Sequence, residues 1–210
     1  MARLMDIALE RLSDILLDMA SLSEKSVSRA IRCYTSGETA SEEIRKSSDE
    51  LRRDEEEVSE LALELIARYQ PVATDLRFIK ASMEIAYGFS RFGRYALDIS
   101  EVLEIFGSQS ACDHSTVEAT AKATMEMIRM SIDAFTNRDS GLAKHIASLD
   151  DYIDEKYRSH VSLIVNDPSP NKCQISAMLI LRYLERIADH SASIGESVIY
   201  IATGEKSPRK

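Results

Sequence analysis

The sequence contains no tryptophan, only 4 prolines and only 7 glycines among its 210 residues. Proline and glycine are the strongest helix breakers and turn formers, so a chain poor in both favours long helices over a sheet with many turns. Hydrophobic residues make up 44% of the chain and charged residues 29%, which is typical of a globular protein. The length suits one domain or two small repeats, and either can bury a sizeable core.

Cysteine is also scarce. The three cysteines, Cys33, Cys112 and Cys173, lie far apart in the sequence and form no CxxC pair. This spacing indicates neither a disulfide framework nor a thiolate zinc site. We therefore expect three ordinary thiols in a reducing cytoplasm.

Long apolar runs and an excess of basic residues are missing as well. The chain has no run of eighteen apolar residues, and its first segment, MARLMDIALERL, contains acidic residues within ten positions. The sequence thus predicts neither a membrane span nor a secretory signal, although the chain could dock on a membrane protein. The formal net charge is -9 with basic and acidic residues interspersed, which argues against nucleic-acid binding as the main function.

Apolar residues recur at helical spacing through most of the sequence. Gly37, the Gln70–Pro71 pair and Gly204 are predicted to interrupt the pattern. The segment GSQSACD, residues 107–113, has the composition of a linker. We predict six long helices in two halves, residues 1–107 and 113–204, followed by a disordered basic tail at 205–210.

The two halves share an internal repeat. The stretch LRYLERIADHSASIGE in the last predicted helix has a counterpart, GFSRFGRYALDISE, ninety-five positions earlier. Small, apolar and basic positions agree between them, but two acidic positions do not. Ser90 falls where Glu185 stands, and Arg94 falls where Asp189 stands. The chain therefore reads as a duplication in which one half has replaced a carboxylate pair.

Two motifs give the chain a family resemblance. ARYQPVATDLRFI, between the second and third predicted helices, is similar to the A-x-R-Q-P-V-A-x-D-L-R signature of the PhoU family, and LERIAD is similar to its E-R-I-x-D motif. PhoU proteins are cytoplasmic accessory proteins of phosphate uptake. The resemblance implies an all-α fold of two tandem three-helix bundles. In the signature turn we expect a structural role for Gln70, Pro71, Asp75 and Arg77, with partner contact as the alternative.

The resemblance also implies that the acidic motif, with aspartates from the preceding helix, holds iron or zinc. Carried over to this sequence, the candidate ligands are Asp150, Asp154, Glu185 and Asp189. Carboxylate oxygens suit Fe, Mn or Mg, and zinc also accepts them. The alternative is an exposed acidic face that binds nothing specifically.

The first half departs from this pattern at every corresponding position: Ser48, Arg52, Ser90 and Arg94. We predict no metal there. One hypothesis is that Arg52 and Arg94 face the acids of the second half and neutralise them without a metal, because a guanidinium can pair in two ways with a carboxylate.

The function implied by the resemblance is regulation by contact. Such a protein would hold a phosphate ABC transporter or a sensor kinase in check, would be peripheral to the membrane through its partner, and would form a homodimer. A helical adaptor of another transporter or channel, without metal, is a second hypothesis. A carboxylate-metal enzyme is a third hypothesis. Such enzymes usually have Glu-x-x-His pairs, and the sequence has none at any of its four histidines, His114, His145, His160 and His190. We expect no catalytic activity.

Overall fold

The computed structural model describes residues 2–205, apart from the side chains of residues 2, 3, 147 and 148. Over this part of the chain it contains six helices and no strand, as the sequence predicts. The predicted tail, from residue 206 onward, lies outside the described residues. The helices are α1 (Ala2–Ser36), α2 (Ser41–Tyr69), α3 (Ala73–Phe106), α4 (Ser115–Asn137), α5 (Ser140–Val165) and α6 (Lys172–Thr203).

The helices end largely where the sequence predicts. Gly37 and Gly204 follow α1 and α6 with φ of +77°, a left-handed conformation that favours glycine. At the starts of α2 and α3 no side chain caps the helix. Ala40 and Val72 occupy the N-cap positions and supply no side-chain cap.

Helices α1–α3 pack together as one bundle and α4–α6 as another, and the core runs through both. Phe89 and Phe92 of α3 are fully buried and meet edge to face with ring centroids 5.9 Å apart. Such a pair stabilises the fold by about 0.5–1.5 kcal/mol beyond its buried area.

The two bundles join along α3 and α6, which run antiparallel. Gly88 of α3 lies against Ile194, and a Cβ at Gly88 would come within 2.8 Å of the Ile194 side chain. Further toward the start of α3, Arg77 Nε donates to the carbonyl of Ile201 at 3.4 Å. The start of α3 therefore lies beside the end of α6. We call this end of the molecule the α2–α3 turn end.

Helices α1 and α4 extend the same arrangement. Arg11 Nη2 of α1 pairs with Glu57 Oε1 of α2 at 2.6 Å, and Glu24 Oε1 of α1 pairs with Arg129 Nε of α4 at 2.7 Å. Arg138, just after α4, lies over the Phe78 ring of α3 at 5.6 Å, and Leu9 of α1 lines a groove with both residues, so the beginning of α1 and the end of α4 lie at the α2–α3 turn end. The linker between α3 and α4 lies at the opposite end, beside the start of α6.

A disulfide joins the linker to the start of α6, contrary to the prediction of three free thiols. Cys112 and Cys173 form a disulfide with their Cα atoms 5.7 Å apart, and only Cys33, which is buried, is free. The linker also contributes a buried side chain, Gln109, whose Oε1 accepts from Ser176 Oγ at 2.9 Å. The prediction of three free thiols is wrong because tertiary packing joins residues 61 positions apart, a contact that local spacing does not reveal.

None of the six helices, as far as the structure describes them, combines the length and the apolar character needed to cross a membrane.

Candidate carboxylate site between α5 and α6

Three of the four predicted ligands come together where α5 packs on α6. Asp150 and Asp154 are four residues apart on α5, so they lie on one face of that helix. Asp189 of α6 faces them. One carboxylate oxygen from each residue lies within 4.8 Å of the others, and all three side chains are half-buried. The packing of two helices thus assembles a cluster of negative charge.

Glu185, the fourth predicted ligand, is not in this group of three. It lies one turn before Asp189 and is held by Arg182, whose Nη1 donates to both carboxylate oxygens at 2.7 Å. Its pKa is nevertheless raised, first because burial disfavours the charged form and then because Asp189 and, more weakly, Asp154 repel it. Glu185 therefore belongs to the same electrostatic cluster.

The negative charge of Asp189 is only partly balanced by nearby positive charge. Burial raises its pKa most strongly and the neighbouring Asp154 raises it further, while Arg186 lowers it. The ion pair between Arg186 Nη1 and Asp189 Oδ2 is long, at 3.5 Å. A cation placed among these carboxylates would relieve both the burial cost and the repulsion, so the donor set fits a metal that prefers oxygen ligands.

Arginines of α5 and α6 compete with such a cation. Besides Arg182 and Arg186, Arg158 Nη2 pairs with Asp154 Oδ2 at 2.7 Å from one turn along α5. Each of these arginines comes from the same helix as its acidic partner. The cluster can therefore be partly neutralised from within its own bundle, and a bound metal would have to displace some of these contacts.

Arg52 and Arg94, the two arginines at replaced positions, pair with acidic residues of their own helices. Arg52 Nη1 pairs with Glu56 Oε1 at 2.6 Å, and Arg94 Nη2 pairs with Asp98 Oδ1 at 2.7 Å. Both are contacts within one helix, rather than with the acids of the second bundle as hypothesised from the sequence.

The other two replaced positions, Ser48 of α2 and Ser90 of α3, are buried, and Ser48 lies where α2 packs on α3 at Gly93. The seam is tight at this level, because a Cβ on Gly93 would come within 2.4 Å of Leu51 Cδ1. Two of the four positions that carry carboxylates in the second bundle thus hold small uncharged side chains in the first.

His190 of α6 is half-buried at the boundary with α3, where it faces two tyrosines. His190 stacks on Tyr95 at a centroid distance of 5.9 Å and meets Tyr87 edge-on at 5.6 Å. Burial lowers its pKa to about 4, helped by the positive charges of Arg91 and Arg186. His190 is thus neutral at physiological pH. In the sequence the only sign of this contact is a pair of tyrosines, Tyr87 and Tyr95, two turns apart on α3.

Gln70, Pro71 and Arg77 of the signature turn have positions within the fold, and Asp75 lines a groove at this end of the molecule. Gln70, in a left-handed conformation with φ of 49°, ends α2 and donates its N–H to the Ile66 carbonyl at 3.1 Å. Pro71 is buried. Arg77 Nε reaches a carbonyl near the end of α6, where a positive charge also complements the helix dipole. Arg77 therefore links the start of α3 to the end of α6.

Comparison with known proteins agrees with this architecture. The family profile described as "PhoU domain" matches residues 16–103 and residues 117–198. The chain belongs to the PhoU family. A Pseudomonas putida relative named "Phosphate-specific transport system accessory protein PhoU homolog" is 30% identical over 203 residues, covering 93% of this chain and 79% of the relative. A Clostridium acetobutylicum protein of the same name is 29% identical and covers 94% of both chains.

Two crystal structures have the same fold. PhoU from Pseudomonas aeruginosa superposes with a TM-score of 0.87 at 28% identity, covering 95% of this chain and 99% of that one. The phosphate transport system regulatory protein PhoU from Streptococcus pneumoniae also gives 0.87, at 22% identity, covering 98% and 100%. The carboxylate cluster lies in the second PhoU match of this chain, and the replaced positions lie in the first.

Proposed function

We propose that this PhoU-family chain is a regulatory accessory protein of phosphate uptake. It acts by binding a phosphate ABC transporter, a sensor kinase or both, and it restrains phosphate import and signalling. The observation that supports this most directly is the match of both bundles to the PhoU domain, with relatives named as accessory proteins of the phosphate-specific transport system.

The proposed mode of action is contact rather than chemistry. The site offers carboxylates and arginines that pair with them, and the family is one of accessory and regulatory proteins. We propose that the chain works in the cytoplasm, reaches the membrane through its partner, and forms a homodimer.

We further propose that the second bundle holds a metal, iron or zinc, with manganese or magnesium as alternatives. Asp150, Asp154 and Asp189 would hold it, and Glu185 would join on release from Arg182. The ion would supply positive charge that cross-links α5 to α6. Ligand binding to the folded state alone adds about 2.7 kcal/mol of stability at a hundredfold excess over Kd.

A helical adaptor without metal, serving another transporter or channel, is the second candidate. The observation that favours it is the set of arginines that already pair with the acids of α5 and α6.

Deletion of the gene in its own organism tests the role in phosphate uptake. In phosphate-replete medium we expect radiolabelled phosphate uptake to rise and phosphate-starvation transcripts to increase, and an intact gene copy to reverse both. Unchanged phosphate uptake together with altered uptake of another solute would instead support the adaptor.

Elemental mass spectrometry of the untagged protein tests the metal. We expect stoichiometric iron, zinc or manganese in the native chain and its loss in Asp150→Asn/Asp189→Asn. The control is Glu155→Gln, which removes an exposed carboxylate of α5 that accepts a hydrogen bond from Ser159. Absence of metal from the native chain, with the double variant as stable or more stable, would reject the metal proposal.

A further inference from the structure

A second candidate site lies away from the carboxylate cluster. At the α2–α3 turn end a groove of about 290 Å³ opens between the beginnings of α1 and α3 and the ends of α4 and α6. Its apolar lining comes from Leu9, Phe78 and Ile201. This volume lies just below the ~300–1,000 Å³ of typical small-molecule pockets. The groove suits a single large side chain better than a cofactor.

The polar lining of the groove is acidic. It includes Asp6 and Glu10 of α1 and Asp75 of α3. Among the described side chains none of these three forms an ion pair. The single basic residue of the lining, Arg138, lies over the Phe78 ring at 5.6 Å. The groove therefore carries a net negative charge.

Exposed apolar side chains lie at the same end of the molecule. Ile7 near the start of α1 is 55% exposed, and Val72 and Leu76 at the start of α3 are 74% and 41% exposed. Leu63 and Ile66 near the end of α2 are 60% and 36% exposed. Apolar residues exposed together near an acidic groove are typical of a surface that a partner covers.

We propose that this surface docks an amphipathic segment of a partner protein, with an arginine or lysine in the groove and apolar side chains on Ile7, Val72 and Leu76. Charge complementarity defines the occupant, because three acids without ion pairs attract a cation and raise the association rate. Arginine fits best, since its planar guanidinium can contact more than one carboxylate. The inference extends the proposed function by naming the surface through which the chain meets a partner.

Fluorescence anisotropy with a designed peptide tests the groove. The probe is a labelled amphipathic peptide of about 15 residues, with leucines on one face and flanking arginines. A matched peptide carries glutamates in place of the arginines. We expect the arginine peptide to bind in a salt-dependent manner and the glutamate peptide not to bind.

Matched variants locate the binding. Asp6→Asn/Glu10→Gln/Asp75→Asn should weaken the arginine peptide at least about tenfold, because each close charge pair contributes to binding. Glu60→Gln/Glu104→Gln/Glu126→Gln removes the same charge from exposed positions outside the groove and should leave Kd within about twofold. Equal weakening in both triple variants would mean attraction to the overall negative charge, and it would overturn the proposal.

The apolar half of the surface has its own control. Ile7→Ser/Val72→Ser should weaken binding, and Ile105→Ser/Leu163→Ser, which alters comparably exposed residues elsewhere, should not. If neutralising Lys206, Arg209 and Lys210 tightens peptide binding to the native groove but not to Asp6→Asn/Glu10→Gln/Asp75→Asn, the chain's own C-terminal residues compete for the groove and the partner assignment is wrong. The same holds if self-association of the chain competes with the peptide. Failure of the peptide to bind, with altered phosphate uptake in the deletion strain, would reject the groove and leave the phosphate role standing.

Discussion

The two bundles of this chain share one architecture and differ in where they put charge. In the second, Asp150, Asp154 and Asp189 converge half-buried between α5 and α6. In the first, the corresponding positions on α2 and α3 include the buried Ser48 and Ser90. The fold therefore does not depend on the acids, and the scaffold accepts either a charged seam or a close-packed one.

The first bundle has rearranged its charges rather than simply lost them. Arg94 stands where the repeat places Asp189, and an acid, Asp98, appears one turn later and pairs with it at 2.7 Å. This ion pair lies within one helix, although burial still raises the pKa of Asp98. The second bundle keeps acids that repel one another, a cost that a bound cation would offset.

The largest expected difference between the bundles comes from the disulfide, which closes a ring of residues 112–173 around α4 and α5. Cys112→Ser/Cys173→Ser should lower the free energy of unfolding by about 4 kcal/mol on the chain-entropy estimate. For a chain of this size that corresponds to a Tm about 10 °C lower in calorimetry.

Thiol titration of the denatured protein checks the bond directly. We expect one reactive thiol, Cys33, without reductant and all three after reduction. Reductant should lower the Tm of the native chain and leave the double variant unchanged. Cytosolic disulfides are usually transient or redox-sensing, so the fraction oxidised in cells also bears on the proposed compartment. Three reactive thiols in unreduced protein would show that the cysteines do not pair.

A smaller effect is expected from filling the close-packed seam. Gly93→Val should cost about 3 kcal/mol, because the new side chain meets the buried Leu51 and the backbone of Ser48. Chemical denaturation measures the loss. The control, Ala67→Val at an exposed position of α2, should cost only the helix propensity of valine, about 0.6 kcal/mol. Equal losses in both variants would mean that the seam is not tight at Gly93.

Exchanging corresponding residues between the bundles should change stability by different amounts in the two directions. Ser90→Glu buries a charge in the first bundle and should cost about 2 kcal/mol without creating metal binding. The reverse change, Glu185→Ser, removes a carboxylate whose pKa is raised by burial and should stay within about 1 kcal/mol of the native chain without metal. If Ser90→Glu were as stable as the native chain and bound metal, the two seams would be equivalent.

The sequence predicts the helices well because their signals are local. Apolar periodicity, the proline at 71 and the glycines at 37 and 204 set the element bounds to within one or two residues. It also places Asp150 and Asp154 on one helical face. What it misses depends on long-range packing: the Cys112–Cys173 bond, the contact of His190 with Tyr95, and the groove beside Asp75. Each joins residues from different helices, whose relative register no local pattern encodes.

The smallest expected effect on stability comes from Asp98, the acid of the first bundle that pairs with Arg94. Burial raises the pKa of Asp98 above its ordinary 3.8, and Arg94 only partly opposes this. A raised folded-state pKa means that the folded chain binds a proton more tightly than the unfolded chain. At a pH below the pKa of Asp98 in the unfolded chain, Asp98 does not lower the free energy of unfolding. As the pH rises through the pKa of Asp98 in the folded chain, this residue lowers the stability.

Asp98→Asn should accordingly stabilise the chain at pH 7, by at most about 0.5–1 kcal/mol after allowance for its exposed partner Arg94. The gain should disappear as the pH falls below 3.8. Denaturant unfolding across this pH range measures it. Asp113→Asn is the contrasting control, because hydrogen bonds to Ser115 lower the pKa of Asp113, so its replacement should destabilise at pH 7. A loss of stability in Asp98→Asn at pH 7 would show that the Arg94 pair outweighs the burial cost, so that the first bundle has gained a stabilising contact where the second keeps a cost.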